Sequence, residues 1–188
     1  MIGPRAERAG GARAVARAAV LALALAVAGC ASMRGALAPS PVGMPSGRDG
    51  WLVYTAGDLR FEAPAAWRSS GDPKHVALEA PDGSGRLEVR EVEERFATNA
   101  ACLGAAEDTL RRNAEQLQRA RLHPTTVAGR RGVVLEADQG DSGHGWAWGI
   151  CDGTVQYRLF LSGSTPLPKE VLEAYRALLA SARIGGEA

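Results

Sequence analysis

Asp152-Gly153 is the pair of residues that most constrains this chain. Two β-prone runs, 146–151 and 154–162, flank it, and Asp-Gly is a favoured pair for the two-residue primed turn that joins antiparallel strands. A turn there sets Ile150 opposite Val155, Trp148 opposite Tyr157 and Trp146 opposite Leu159. One face of this hairpin is then bulky. The other carries Ala147, Gly149 and Cys151, groups small enough for a helix to approach closely. Trp146, Trp148 and Tyr157 are the candidate walls of a ligand pocket, since rigid aromatics suit one, with hydrophobic core as the alternative.

A helix able to use the small face lies upstream. Thr98 or Asn99 can cap it, and Leu103, Ala106, Leu110, Ala114 and Leu117 recur at three- and four-residue spacing, so the helix is expected to end before Pro124. Cys102 near its start is in reach of Cys151.

Before this helix, 51–55 and 58–62 form a strand pair broken by Ala56-Gly57, and Pro64-Ala65-Ala66-Trp67 ends it. Residues 76–80 and 86–90 form a hairpin about Pro81-Asp82-Gly83-Ser84-Gly85, with Leu87 and Val89 alternating with Glu88 and Arg90. Residues 133–137 are almost wholly apolar and suit a strand buried on both faces. A last helix over about 169–181 presents Val171, Leu172, Tyr175, Leu178 and Leu179, and suits the tryptophan face. Hairpins with two helices imply an α+β fold, an antiparallel β-sheet flanked by helices on both faces.

The N-terminus carries an address. Arg5, Arg8, Arg13 and Arg17 precede an apolar run over 18–28, too short for the about 20 residues that span a bilayer, which reads as a secretory signal. Val27-Ala28-Gly29-Cys30 at its end resembles the lipobox of bacterial lipoproteins. That resemblance implies cleavage before Cys30, a diacylglycerol on its thiol and an acylated new N-terminus, an anchor stronger than any single chain gives. Ala31 stands where inner-membrane retention uses aspartate, which implies the outer membrane on its periplasmic side. The expected domains are a signal peptide at 1–29, the lipidated cysteine and a flexible, Pro- and Gly-rich linker at 30–49, and a folded domain at 50–184.

Removing residues 1–29 leaves 159 residues with 18 basic and 20 acidic side chains, a charge that gives no footing for nucleic acid. With Cys30 lipidated in an oxidising compartment, Cys102 and Cys151 are the remaining thiols and are expected to pair.

The run 59–67, the Pro81-Asp82-Gly83 hairpin, the long helix, Val127-Ala128-Gly129 before a buried strand, and the closing segment 178–184 together resemble PsbP-like domains over about residues 50–184. Ala66 stands where glycine is common in that family's Pro-x-Gly-Trp. The resemblance implies an α/β/α sandwich acting as an accessory or assembly module, with no shared catalytic residue set.

The chemistry-bearing residues are scattered. His75, His123 and His144 fall in no paired metal-ligand spacing. Asp138, Asp141 and His144 share one loop but match no calcium pattern, and Ser142 beside them lacks a nucleophile-elbow context. Arg111, Arg112, Arg119 and Arg121 are expected on the long helix as a solvated face, partly balanced by Glu107, Asp108 and Glu115, and Glu88, Glu91, Glu93 and Glu94 read the same way. No catalytic residue, metal or cofactor is implied. The expected function is a non-catalytic, lipid-anchored binding or assembly module with an envelope protein partner. The alternatives are a small-molecule carrier using the aromatic pocket and an envelope enzyme.

Overall fold

The structure is a computed structural model that describes residues 41–138 and 143–185. All the described residues belong to one compact unit. The strands are β1(Met44–Pro45), β2(Trp51–Ala56), β3(Leu59–Pro64), β4(Arg68–Asp72), β5(His75–Glu79), β6(Gly85–Arg95), β7(Gln118–Val127), β8(Arg130–Asp138), β9(His144–Asp152), β10(Val155–Gly163) and β11(Arg183–Ile184). Two helices, α1(Asn99–Ala114) and α2(Lys169–Ser181), complete the described elements.

The expected single sheet with helices on both faces is not what forms. Two antiparallel sheets are present, a four-stranded one ordered β1-β2-β3-β11 and a seven-stranded one ordered β4-β5-β6-β10-β9-β8-β7. Helix α1 covers part of one face of the larger sheet. The other face is closed by the smaller sheet, with α2 packed chiefly on β3. The reason lies in what turn signals specify: Ala56-Gly57 fixes how β2 pairs with β3 but not which sheet the pair joins. Tyr54, Ala56, Leu59, Phe61 and Ala63 give the pair an apolar side, which it buries against the large sheet rather than extending its edge.

The main core lies between the two sheets and includes Trp67, Leu78, Leu87, Val89, Val134, Trp148, Ile150, Tyr157, Leu159 and Leu161 with Val171, Ala174 and Leu178 of α2. A second cluster, Ala106, Leu110, Val133 and Leu135, sits under α1. Strand β8 therefore buries both faces, as its apolar run requires.

The central hairpin forms with its register moved by one step. Asp152 pairs with Val155, Ile150 with Tyr157, Trp148 with Leu159 and Trp146 with Leu161, so the loop is Gly153-Thr154 rather than Asp152-Gly153. Gly153 has φ +60°, and no positive φ is found at Thr154. That is the pattern of a II′ turn, with glycine first, and a β-branched threonine disfavours the second positive φ of a I′ turn. The step preserves the parity of pairing, so the division into a bulky and a small face survives.

Two strands fall where the sequence reads otherwise. The helix stops at Ala114, and Pro124 sits inside β7, an edge strand where a missing N–H leaves no internal ladder bond broken. Arg119 and Arg121 therefore belong to β7, not to the helix. Strand β4, Arg-Ser-Ser-Gly-Asp, is the opposite edge and has no apolar alternation to announce it. Within the segment read as linker, Met44 and Pro45 pair with Val53 and Leu52.

Candidate functional site

The site begins where α1 meets the large sheet. Thr98 accepts the Ala101 N–H at 3.1 Å and caps the helix, and Cys102, Ala106 and Leu110 face the sheet one turn apart. At the crossing point β9 carries Gly149. A Cβ built there would lie 2.6 Å from the Ala106 Cβ, so only glycine lets the helix come this close. We expect Gly149→Val to push α1 off the sheet and lower stability by about 1–3 kcal/mol, read as a lower urea midpoint with an unchanged slope. Cys102 and Cys151 are joined as a disulfide with Cα atoms 6.0 Å apart, which ties the helix start to β9.

Helix α1 is narrower than the sheet face it lies on. Beyond β9 that face continues over β10, β6, β5 and β4, and along the helix edge runs an open-sided trench in two lobes of 240 Å³ each. Asn113, Ala147 and Phe160 line both lobes. One lobe is closed by Ala106, Leu110 and Gly149 and bordered by Glu88, Arg90 and Arg158, and the other by Leu117, Leu135 and Gly145. The trench thus has an apolar floor and one basic end.

The basic end is held from below. Gln156 is fully buried, its amide donates to the Cys102 carbonyl at 3.4 Å, and its side-chain oxygen accepts from Arg158 Nε at 2.8 Å. A β-bulge where β6 passes Val155 and Tyr157 accompanies this, a common device for re-aiming side chains near sites. The disulfide, a buried amide and a guanidinium form one connected line.

Two other polar clusters lie on the core side. Glu91 is only 7% exposed and contacts Arg95 at 2.6 Å and Lys74 at 3.4 Å. Burial works to raise its pKa, but the hydrogen bonds from Arg95 and Lys74 and their charges outweigh it, and the carboxyl ends below its usual range. At the far end of the sheet, His144 places Nδ1 2.9 Å from Asp138 and Nε2 3.0 Å from Glu136, with Arg119 3.4 Å from Asp138. The His144 hydrogen bond is the main cause of a lowered Asp138 pKa.

Both carboxyls bind protons less readily folded than unfolded. Their stabilisation is therefore complete above the ordinary carboxylate values of 4.5 and 3.8, and it is lost as pH falls through the lower folded values. The melting temperature is expected to fall on acidification below about pH 4.5, and Glu91→Gln to flatten that fall; a melting temperature level down to about pH 3 would contradict the assignment.

The residues singled out by sequence are distributed as follows. Cys102 and Cys151 come together. Trp146, Trp148 and Tyr157 all lie in the main core, and Tyr175 of α2 packs on the tryptophans with ring centroids 4.7 and 5.9 Å away. Burial foremost, then the charges of Glu91 and Asp58, pushes the Tyr157 phenol up to about 12, so it stays neutral at ordinary pH. Asp138 meets His144, whereas Asp141, Ser142 and Cys30 lie outside the described residues. Among the described residues no group of three or more His, Cys, Asp or Glu is placed to hold a metal ion, and no helix is long and apolar enough to cross a membrane. The sequence reading missed Gln156, Arg158 and Phe160. Their signal is the alternation on β10, which puts an amide, a cation and an aromatic on the face opposite the core.

No protein-family model matches the sequence, and the search among curated proteins returned no match. Among solved structures, a crystal structure from Bacteroides thetaiotaomicron aligns at 10% identity and TM-score 0.48 over 69% of this chain, which spans 46% of that protein. The solution structure of cyanobacterial PsbP (CyanoP) from Synechocystis sp. PCC 6803 aligns at 13% identity and TM-score 0.51, covering 78% of this chain and 98% of that one. At such identity the likeness shows the fold alone, and that fold is like the one CyanoP adopts.

Proposed function

We propose that this chain is a non-catalytic, lipid-anchored envelope protein whose PsbP-like domain is a binding or assembly module. Cys30 is its acylated residue, and the domain faces the periplasm from the outer membrane. The observation that carries the binding role is the trench beside α1, which is built on a disulfide and a buried amide and left open on the sheet face. The location is supported by the lipobox-like Val27-Ala28-Gly29-Cys30 and by a disulfide that suits an oxidising compartment. PsbP-like domains as accessory modules are consistent with this role. The carrier alternative needs a chamber among Trp146, Trp148 and Tyr157, whereas all three are buried in the core and Tyr175 packs on both tryptophans.

Filling the trench tests the role. Asn113 is exposed and borders both lobes, so Asn113→Trp blocks it without entering the core. The expected result is at least a tenfold loss of the proteins recovered with the chain from formaldehyde-treated cells, at an unchanged membrane level; undiminished recovery would contradict the role. Mass spectrometry of the membrane fraction should find Cys30 acylated, and an intact Met1 would remove the anchor.

A further inference from the structure

The cross-strand register places Arg158 of β10 directly opposite Arg90 of β6, and His75 of β5 opposite Arg90 on its other side. Like charges directly opposed on neighbouring strands destabilise a sheet, and proteins ordinarily separate or neutralise them. Here both arginines are exposed, and among the described residues neither is in an ion pair. Of the neighbouring carboxylates, Glu88 pairs with Arg86 and Glu91 with Lys74 and Arg95, Asp72 accepts the Lys74 N–H at 2.8 Å, and Glu93 and Glu94 line the cavity on the other side of the two arginines without an ion pair to either. Gln156 fixes the Arg158 guanidinium so that its remaining donors are free for a second acceptor. Two forks of donors thus border the basic end of the trench, and among the described residues no carboxylate is within 4.0 Å of either.

The apolar floor begins two residues further along the same strand, at Phe160. Positions i and i+2 of a strand are separated by roughly 6.4–6.8 Å, and an extended peptide has the same repeat. Each lobe, at 240 Å³, is smaller than the roughly 300–1,000 Å³ of sites that enclose a small molecule, and the two are strung along the helix edge. That shape admits the side chains of an extended chain laid across it.

We propose that the trench takes an extended segment of a partner protein, in which an Asp or Glu binds Arg90 and Arg158 and an apolar residue two positions away packs on Phe160. This deepens the reading of the trench as the docking face and rests on it. The carboxylate neutralises the opposed arginines, and the apolar residue gains contact with Phe160 and Leu110.

The test is a random heptapeptide library displayed on phage and selected against the full chain solubilised in dodecyl maltoside. Selected peptides are expected to carry an acidic residue with an apolar residue two positions from it, and to bind the R90Q/R158Q variant at least tenfold more weakly. Phe160→Ala weakens binding several-fold, and added salt weakens it further. Arg90→Gln alone removes the opposed like charge and keeps the Arg158–Gln156 hydrogen bond, so its melting temperature stays level or rises while its peptide binding weakens, which separates lost binding from lost folding. The proposal is overturned by peptides without acidic enrichment, by equal binding to R90Q/R158Q, or by no selection above background. It is likewise overturned if selection lacks acidic peptides while pelleting with phosphatidylglycerol vesicles depends on the two arginines, which assigns them to lipid. Partner recovery that Asn113→Trp abolishes and R90Q/R158Q leaves intact would remove the acidic segment and keep the docking face.

Discussion

Replacing Cys102 and Cys151 by alanine lowers the melting temperature by roughly 8–16 °C. The bridge spans a sequence separation of 49, and closing a loop of that size in the unfolded chain is worth about 4 kcal/mol in the chain-entropy account. For a domain of this length each kcal/mol moves the midpoint by about 2–4 °C. The loss has a definite place. Cys102 lies in the first turn of α1, which otherwise rests on the small cluster of Ala106, Leu110, Val133 and Leu135, so amide exchange over 99–106 accelerates before that of β9 and β10. Equal midpoints for the native and reduced protein would show that the helix is held by packing alone.

Trp148→Ala destabilises the domain by about 3–5 kcal/mol, the range for removing a large aromatic from a filled core. Trp148 is 2% exposed, pairs with Leu159 across the hairpin and lies against Tyr175. Trp51 provides the contrast: it is half-buried with the Arg48 guanidinium 3.9 Å above its ring, and Trp51→Ala costs about 1 kcal/mol. Urea midpoints of the two variants separate the cases. A Trp148→Ala variant as stable as the parent would mean that the tryptophans line a void, and would revive the carrier.

The hairpin around Gly153 shows why the element pattern was legible and the layer arrangement was not. Glycine with flanking alternation announces a turn and sorts side chains between faces, because both are local properties of a few residues. The exact loop residues were settled by Thr154, whose branched Cβ decides where the positive φ goes. Edge strands β4 and β7 were hidden because an edge needs little apolar content and tolerates Pro124. The second sheet was hidden for a different reason: the apolar side of β2 and β3 fits equally well against a helix, the same sheet or another sheet.

The candidate site was half legible. Cys102, Cys151 and the small groups of β9 foretell a helix close against that strand, which forms the wall of the trench. Arg90 and Arg158 are 68 residues apart in the sequence, and only the β6–β10 register makes them neighbours. Phe160 looked like an ordinary member of a strand until the narrowness of α1 left its face partly uncovered, and Gln156 until the Cys102 carbonyl and Arg158 were found on either side of its buried amide.

A photoreactive residue at Asn113, activated in intact cells, tests the central claim most directly, with Arg60 on the exposed side of β3 as the control position. The account predicts a discrete crosslinked protein from Asn113 and none from Arg60, with the crosslink sited near an acidic residue of the partner and weakened at least tenfold in R90Q/R158Q. Crosslinks arising equally from both positions, or from Arg60 alone, would contradict it.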